Sequence, residues 1–401
     1  MTRASRTLDS VCLRIVDCEH KTAPVDTDGE FFAVGTPAMR GHRINFSEAR
    51  RISAETFAAW TRRMLPMRGD LLFAREAPVG PIVRIPAREN VAPGQRTVLL
   101  RPDPEQVDTD YLYYLFTSPR IQAEVQVKAE GSTVPHLNVA DVRAFELPPL
   151  PPLPEQRAIA ATLGVLDDKI ESNRRAVALI EDLVAAEFTR LVTEFEPTYV
   201  PLGELTDVVK GRSYKSAELE QSTTALVTLK SIDRNGGYKA DGLKPYSGPY
   251  KENQVIRPGE MVVAQTDLTQ GAEVVGRGVR VPAAAGFETL VASLDLAIVR
   301  PNEGMPIEYL RGLLTSEGFR QWCRSRVTGT TVLHLAKDAI PTWPAPVVAH
   351  REQQRFASFA RALLDRMDSL EAESHRLATL RDALLPELLS GRIRVPVDEA
   401  A

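Results

Sequence analysis

Two short segments carry the residues best suited to chemistry on an anion: GSTVPHL at 131–137 and GTTVLHL at 329–335. In each, a glycine lets the backbone approach a ligand closely, and hydroxyls and free amides can donate to phosphate oxygens. A histidine there can meet a phosphate or a base edge. The candidates are Ser132, Thr133 and His136 in the first segment, and Thr330, Thr331 and His334 in the second. Arg324 and Arg326, and Lys128, stand just upstream and favour a phosphate contact. A purely local reading stands beside this one: the glycine caps a helix, the threonine bonds its own backbone, and the histidine packs beneath.

Other chemistries lack their residues. No glycine-rich loop leads into Lys-Ser/Thr, so nucleotide hydrolysis has no home. No GxGxxG follows a strand, which leaves a dinucleotide or methyl-donor site unsupported. The six histidines and the cysteines Cys12, Cys18 and Cys323 have no metal-ligand or redox spacing. Asp167-Asp168-Lys169 falls on a helical stretch and reads as a solvated charge run. The chain is therefore expected to bind and to catalyse nothing by itself, with no metal and no cofactor of its own.

Net charge is −4, yet a polyanion needs a local basic surface rather than a basic protein. Residues 1–150 and 196–348 are each balanced, and the helical stretches between and after them supply the whole deficit. Within the balanced parts, Arg40, Arg43, Arg50, Arg51, Arg62, Arg63, Arg68 and Arg75 crowd one run, and Lys210, Arg212, Lys215 and Lys230 open another. No basic-then-apolar leader and no apolar run near the ~18 residues of a spanning helix is present. The expectation is a cytoplasmic protein with reduced thiols and no membrane partner.

The positioning elements are announced by a repeat. Residues 110–137 and 308–335 align without a gap, 198 residues apart, with ten of 28 positions identical, from Tyr111/Tyr309 to Leu137/Leu335. Each copy is followed by a proline-rich connector, at 146–154 and 341–346, and then by a heptad pattern. The first seam runs Ile159, Leu163, Leu166, Ile170, Asn173, Val177, Ile180, Val184, Glu187, Leu191. The second runs Phe356, Ala360, Leu363, Met367, Leu370, Ser374, Leu377, Arg381, Leu384, Leu388. Spacings of three and four mark a coiled-coil seam. A helix over 155–193 would be ~58 Å long, so antiparallel pairing would set the two modules ~50–60 Å apart. Leu179, Leu183, Leu364 and Leu380 widen the stripes beyond a two-stranded seam, as if helices of another subunit completed a bundle.

The fold class is thus α/β (α+β), a pseudo-two-fold internal repeat. Two similar globular modules with mostly antiparallel sheets, each with a helix near 110–128 or 308–326, are separated by two long helices pairing as an antiparallel coiled coil. The expected boundaries are 1–150 for module one, 151–195 for connector and first helix, 196–346 for module two and 347–395 for the second helix.

LPPLPPLPEQRAIAATLGVLDDKIE (147–171), REQQRFASFARALLDRMDSL (351–370), LLSGRIRV (388–395) and DCEHKTAP (17–24) carry a family likeness. On these residues, and on the order module, connector, helix, twice over, the chain resembles the specificity subunit of Type I restriction–modification systems. The second copy departs from the pattern, with Glu352 where Pro154 stands and Trp343 in its connector. The resemblance implies that each module is a target-recognition domain reading one half of a bipartite site in double-stranded DNA. It implies that the helices act as a ruler for the spacer. Two modification subunits carrying S-adenosylmethionine would dock on the helices, and restriction subunits would supply ATP- and Mg-dependent translocation and cleavage. Base-reading residues do not transfer between recognition domains. His20, Lys21, Arg40, Arg43, Arg75, Lys210, Arg212, Lys215 and Lys230 are chosen from charge and loop position. Ile159, Leu163, Leu166, Ile170, Phe356, Leu363, Met367 and Leu370 are the candidates for partner docking. The alternative is a coiled-coil scaffold whose two modules bind protein or RNA.

Overall fold

The computed structural model describes residues 6–87, 90–129, 135–234, 236–269, 271–283 and 286–396. It divides into two compact units, Met1–Ser172 with Ser374–Ala401, and Asn173–Glu373.

The first unit holds β1 (Arg6–Thr7), β2 (Cys12–Asp17), β3 (Phe31–Val34), β4 (Arg50–Ile52), β5 (Leu71–Arg75), β6 (Val79–Arg84), β7 (Val91–Pro93), β8 (Thr97–Pro102) and β9 (Glu146–Leu147). Its main sheet has the antiparallel order β2-β8-β5-β6. A second sheet, β4-β3-β7, contains a parallel pair, β3 with β7. The run Leu71–Arg75 is buried throughout, as a central strand covered on both faces must be. Helices α1 (Ala54–Thr61), α2 (Thr109–Thr117), α3 (Pro119–Ala129) and α4 (Val139–Arg143) follow. Asp108 caps α2 by accepting from the Tyr111 amide at 2.9 Å.

Helix α5 (Leu153–Glu194) begins at the proline connector, with Pro154 in its first turn, where a missing N–H costs nothing. The second unit then repeats the first with β10 (Thr198–Pro201), β11 (Thr206–Lys210), β12 (Thr224–Val227), β13 (Lys244–Pro245), β14 (Val255–Ile256), β15 (Met261–Ala264), β16 (Thr266–Asp267), β17 (Gly278–Arg280), β18 (Thr289–Ala292), β19 (Leu296–Pro301), β20 (Val327–Thr328), β21 (Leu333–Leu335) and β22 (Pro344–Val347). The order β11-β19-β15-β17 reproduces the first main sheet. In β13-β12-β18-β14, the pair β12 with β18 is again parallel. Helices α6 (Leu202–Leu205), α7 (Ile307–Thr315), α8 (Glu317–Arg324) and α9 (His350–Leu389) complete the chain. Pro386 is accommodated inside α9, and Gly391 closes it at φ 73°.

Two expectations need correction. The single helices expected near 110–128 and 308–326 are each two, broken at Ser118 and Ser316. Both serines are extended, with ψ 142° and 147°. Ser316 then accepts from the Phe319 amide, as an N-cap does, and Pro119 opens α3 at the first helical position. The seams, for their part, do more than meet each other. In the first unit Ile159, Ala160 and Leu163 share one core with Leu385, Leu388 and the module residues Tyr111 and Leu112. In the second unit Val184, Phe188 and Leu191 share one with Phe356, Ala360, Leu364 and the module residues Tyr309 and Leu310. In each unit the helices run antiparallel: Asp167 meets Arg381 in the first, and Asn173 meets Glu373 while Phe188 meets Phe356 in the second.

Candidate nucleic-acid interface

In the first unit the ends of β2, β5 and β8 converge. The Cys18 amide donates to the Thr97 carbonyl (3.2 Å), and the Arg75 amide to that of Arg96 (3.0 Å). The segment after residue 134 is hooked onto the same strand end: the Leu137 amide donates to the Arg75 carbonyl at 2.8 Å, and His136 forms a bridge with Glu76. The second unit repeats this docking. There the Leu335 amide donates to the Gln265 carbonyl at 2.8 Å, and His334 lies opposite Thr266. His136 and His334 are both exposed at these strand ends. Gly329 adopts φ 109°, and a Cβ there would fall 2.2 Å from the Val332 carbonyl oxygen, so the tight turn requires glycine. Ser132 and Thr133 lie outside the described residues. Thr330 and Thr331 are exposed beside Gly329.

The structure brings His20, Lys21, Arg75 and His136 to one end of the first main sheet. Their roles differ. Arg75 is buried, pairs with Asp17 at 3.3 Å and donates to the Leu137 carbonyl at 3.4 Å, so it shapes the end rather than projecting from it. His20 is open to solvent and held by Asp17 at 2.9 Å. Lys21 is exposed beside it. Arg62, Arg63 and Arg96 add cations held by Glu19 and Glu76. Arg62 and Arg63 belong to the basic run of the sequence, while nothing there singles out Arg96, whose φ is 70°.

Arg40 and Arg43 belong elsewhere, on the turn Arg40–His42 and the residue after it. Arg40 is 72% exposed, 3.5 Å from Glu48. Arg43 is turned toward α5, 3.4 Å from Asp167 and 3.2 Å from Glu171. In the second unit Lys210 is exposed at the end of β11, and the Arg212 amide donates to the Ala292 carbonyl at 2.7 Å. The Arg212 Nε is buried without a hydrogen-bond partner. Lys215 and Lys230 are exposed around short turns. Arg324 reaches the Gly271 carbonyl at 3.4 Å from the end of α8, and Arg326 stacks 3.2 Å from the Trp322 ring centroid. The interface candidates thus form a sheet-end group in each unit, with Arg40, Arg43, Lys215, Lys230, Arg324 and Arg326 on other elements.

The docking candidates on the helices lie as follows. Ile159, Leu163, Ile170, Phe356, Met367 and Leu370 are buried within the chain itself, and Leu166 and Leu363 are partly buried. Ile159 and Leu163 belong to the first unit's core, and Phe356 and Met367 to the second's, with Leu363 packed against it. The large apolar side chains that α5 leaves exposed are Val165, Leu179 and Leu183, and those on α9 are Phe359 and Leu380.

The charge run also differs from its sequence reading. Asp167 is 8% exposed and accepts from the Tyr114 hydroxyl at 2.8 Å and from Arg381 at 2.7 Å. Burial by itself would raise its pKa, but those donors outweigh it and hold the carboxylate below its usual range. Its partners lie 53 and 214 residues away in the chain, which is why the sequence hid the role. Among the described residues no group of three or more His, Cys, Asp or Glu could hold a metal ion.

Each unit joins a mixed module to antiparallel stretches of the long helices and offers a strand end with a histidine and basic side chains. Residues 60–182 match the family model for the Type I restriction modification DNA specificity domain. The chain is 24% identical over 380 residues to the Type I restriction enzyme MjaIX specificity subunit of Methanocaldococcus jannaschii, covering 86% of this chain and 82% of that one. Over 117 residues it is 30% identical to the putative type I restriction enzyme MjaX specificity subunit of the same organism, which is 28% of this chain and 25% of that one. Its fold is shared by the S subunit of a Type I restriction–modification system from M. genitalium, with a TM-score of 0.58 at 17% identity over 96% of each chain. The chain is thus similar along most of its length to specificity subunits of Type I restriction–modification systems, and residues 60–182 carry the match to their DNA specificity domain.

Proposed function

We propose that this chain is the non-catalytic DNA-targeting subunit of a Type I restriction–modification complex, with each module reading one half of a bipartite site. The observation that carries this is the repeated docking of the His136 and His334 segments onto equivalent strand ends, within two modules of identical main-sheet order. Recognition of two half-sites by one chain calls for two such modules. The modules span 1–150 and 196–346, and the helices span 151–195 and 347–395. The sheet-end cations supply phosphate contacts, which position the protein, and base contacts, which specify the sequence. Two modification subunits that bring S-adenosylmethionine for adenine methylation, and restriction subunits that use ATP and Mg, complete the assembly. The apolar side chains left exposed on α5 and α9 support docking there. No helix among the described residues is long and apolar enough to cross a membrane. We place the protein with its DNA in the cytoplasm.

The test is binding of the complex, assembled with its methyltransferase, to duplex DNA at increasing salt. Lys210→Ala with Arg212→Ala should weaken binding and make its salt dependence shallower. Unchanged affinity and slope would remove both residues from the interface.

A further inference from the structure

We infer that Asp167 is a positioning residue of the first recognition module, tying the Arg40–Arg43 turn to the helix pair, with Arg43 acting through it rather than on DNA. This rests on the DNA-recognition reading and specifies how one module is held.

Three separate parts of the first unit meet at this carboxylate. From α2 comes the Tyr114 hydroxyl at 2.8 Å, from the closing stretch of α9 the Arg381 guanidinium at 2.7 Å, and from the turn Arg43 at 3.4 Å. Arg43 also reaches Glu171, one helical turn further along α5, at 3.2 Å. The turn itself is strained. Gly41 and His42 both take φ 59°, and for histidine that backbone must be held from outside. The Ile82 amide donates to the His42 Nδ1 at 3.2 Å and the Tyr113 hydroxyl donates to the His42 carbonyl at 3.0 Å. Burial lowers the pKa of His42, so its ring stays a neutral acceptor. The fixed turn carries Arg40, which is open to solvent.

In the second unit the charged tie between module and helix falls one turn further along, where Arg280 holds Asp368, and the place of Asp167 itself is apolar. The residue aligned with Tyr114 is Gly312, and the space its missing side chain leaves is filled by Phe188. Gln156 and Gln353 play the same part in the two helices, each donating at 2.8 Å to the carbonyl five residues before it, Pro151 and Val348. By that register Leu364 stands for Asp167, and Val184 for Arg381, and both are buried in the second core. A buried carboxylate and guanidinium at two positions where the repeat has leucine and valine are costly to keep for stability alone, because well-packed apolar residues do as well there. It does supply direction, since a carboxylate with three donors fixes orientations that leucine leaves free.

The experiment uses the full chain assembled with its methyltransferase and duplexes bearing the methylated motif, with one or the other half-site altered. Asp167→Asn, which keeps an acceptor for Tyr114, should lower discrimination at one half-site by roughly tenfold and leave the other within about twofold. Arg43→Ala should do the same without changing the salt slope, Arg43→Lys should restore part of the loss, and the double variant should be no worse than the worse single one. Equal loss at both halves, additive effects, or a shallower salt slope for Arg43→Ala would overturn the inference. If Asp167→Asn fails to assemble, Arg43→Ala and Arg43→Lys carry the same test, since both leave the Arg381 pair in place. If the wild-type complex discriminates neither half, the DNA reading fails instead. The coupling of Arg43 with Asp167 in thermal unfolding of the free chain still tests the tie.

Discussion

Asp70 is 1% exposed, and Arg101 grips both its oxygens at 2.8 Å. In the second unit Arg300 holds Glu260 in the same fork at 2.7 and 2.9 Å. Planar, doubly bonded pairs of this kind are the geometry in which a buried ion pair holds its place. Replacing Arg101 by methionine would leave the Asp70 charge buried without its partner. Unfolding in denaturant should then show a loss of about 3–5 kcal/mol; a loss below about 1 kcal/mol would mean the pair is dispensable. Gly312→Ala would put a Cβ 2.2 Å from the Phe188 ring, inside a packed core, and should cost about 1–3 kcal/mol in the same assay. Gly164→Ala, with nothing within 4 Å of its Cβ, is the control. The two histidines and Gly329 were legible from the repeat alone. Asp167 was not, because a carboxylate beside two more charges looks solvated until partners from distant parts of the chain are folded around it.

At the scale of elements, heptad spacing located both long helices and the proline connectors located their starts. The paired short helices were missed because Thr-Ser-Pro and Thr-Ser-Glu interrupt runs that are otherwise helical, and the break at each serine shows only in the folded backbone. Periodicity says that a face is apolar, but not whether the module or another subunit covers it. Within the second unit, Glu371 on α9 faces Asp368 and Glu181. Burial, then Asp368 and Glu181, push its pKa up to about 7 against the influence of Arg280. A carboxyl held above its usual value favours the folded state while protonated, and this contribution fades as pH rises toward and past 7. Its side chain keeps contact with solvent, so the effect is modest. Glu371→Gln should therefore gain thermal stability relative to wild type between pH 5 and pH 8 (about three pH units). Parallel melting curves across that range would contradict it.

For the whole molecule, the near-neutral composition gave no sign of a polyanion partner, and the internal repeat with its connectors was the legible feature. Each unit repeats the other's main sheet, its parallel strand pair and its hooked histidine segment, while the side chains at equivalent places diverge, as Tyr114 and Gly312 do. Under the proposed function, two unlike half-sites would call for such a common frame with different side chains. The most direct test is to sequence the methylome of a heterologous host expressing this chain with its genomic neighbour methyltransferase, against the methyltransferase alone. A new bipartite N6-methyladenine motif that appears only when this chain is present is the expected result. With both proteins soluble and associated, the absence of any new motif would contradict DNA targeting and favour a scaffold that binds protein or RNA.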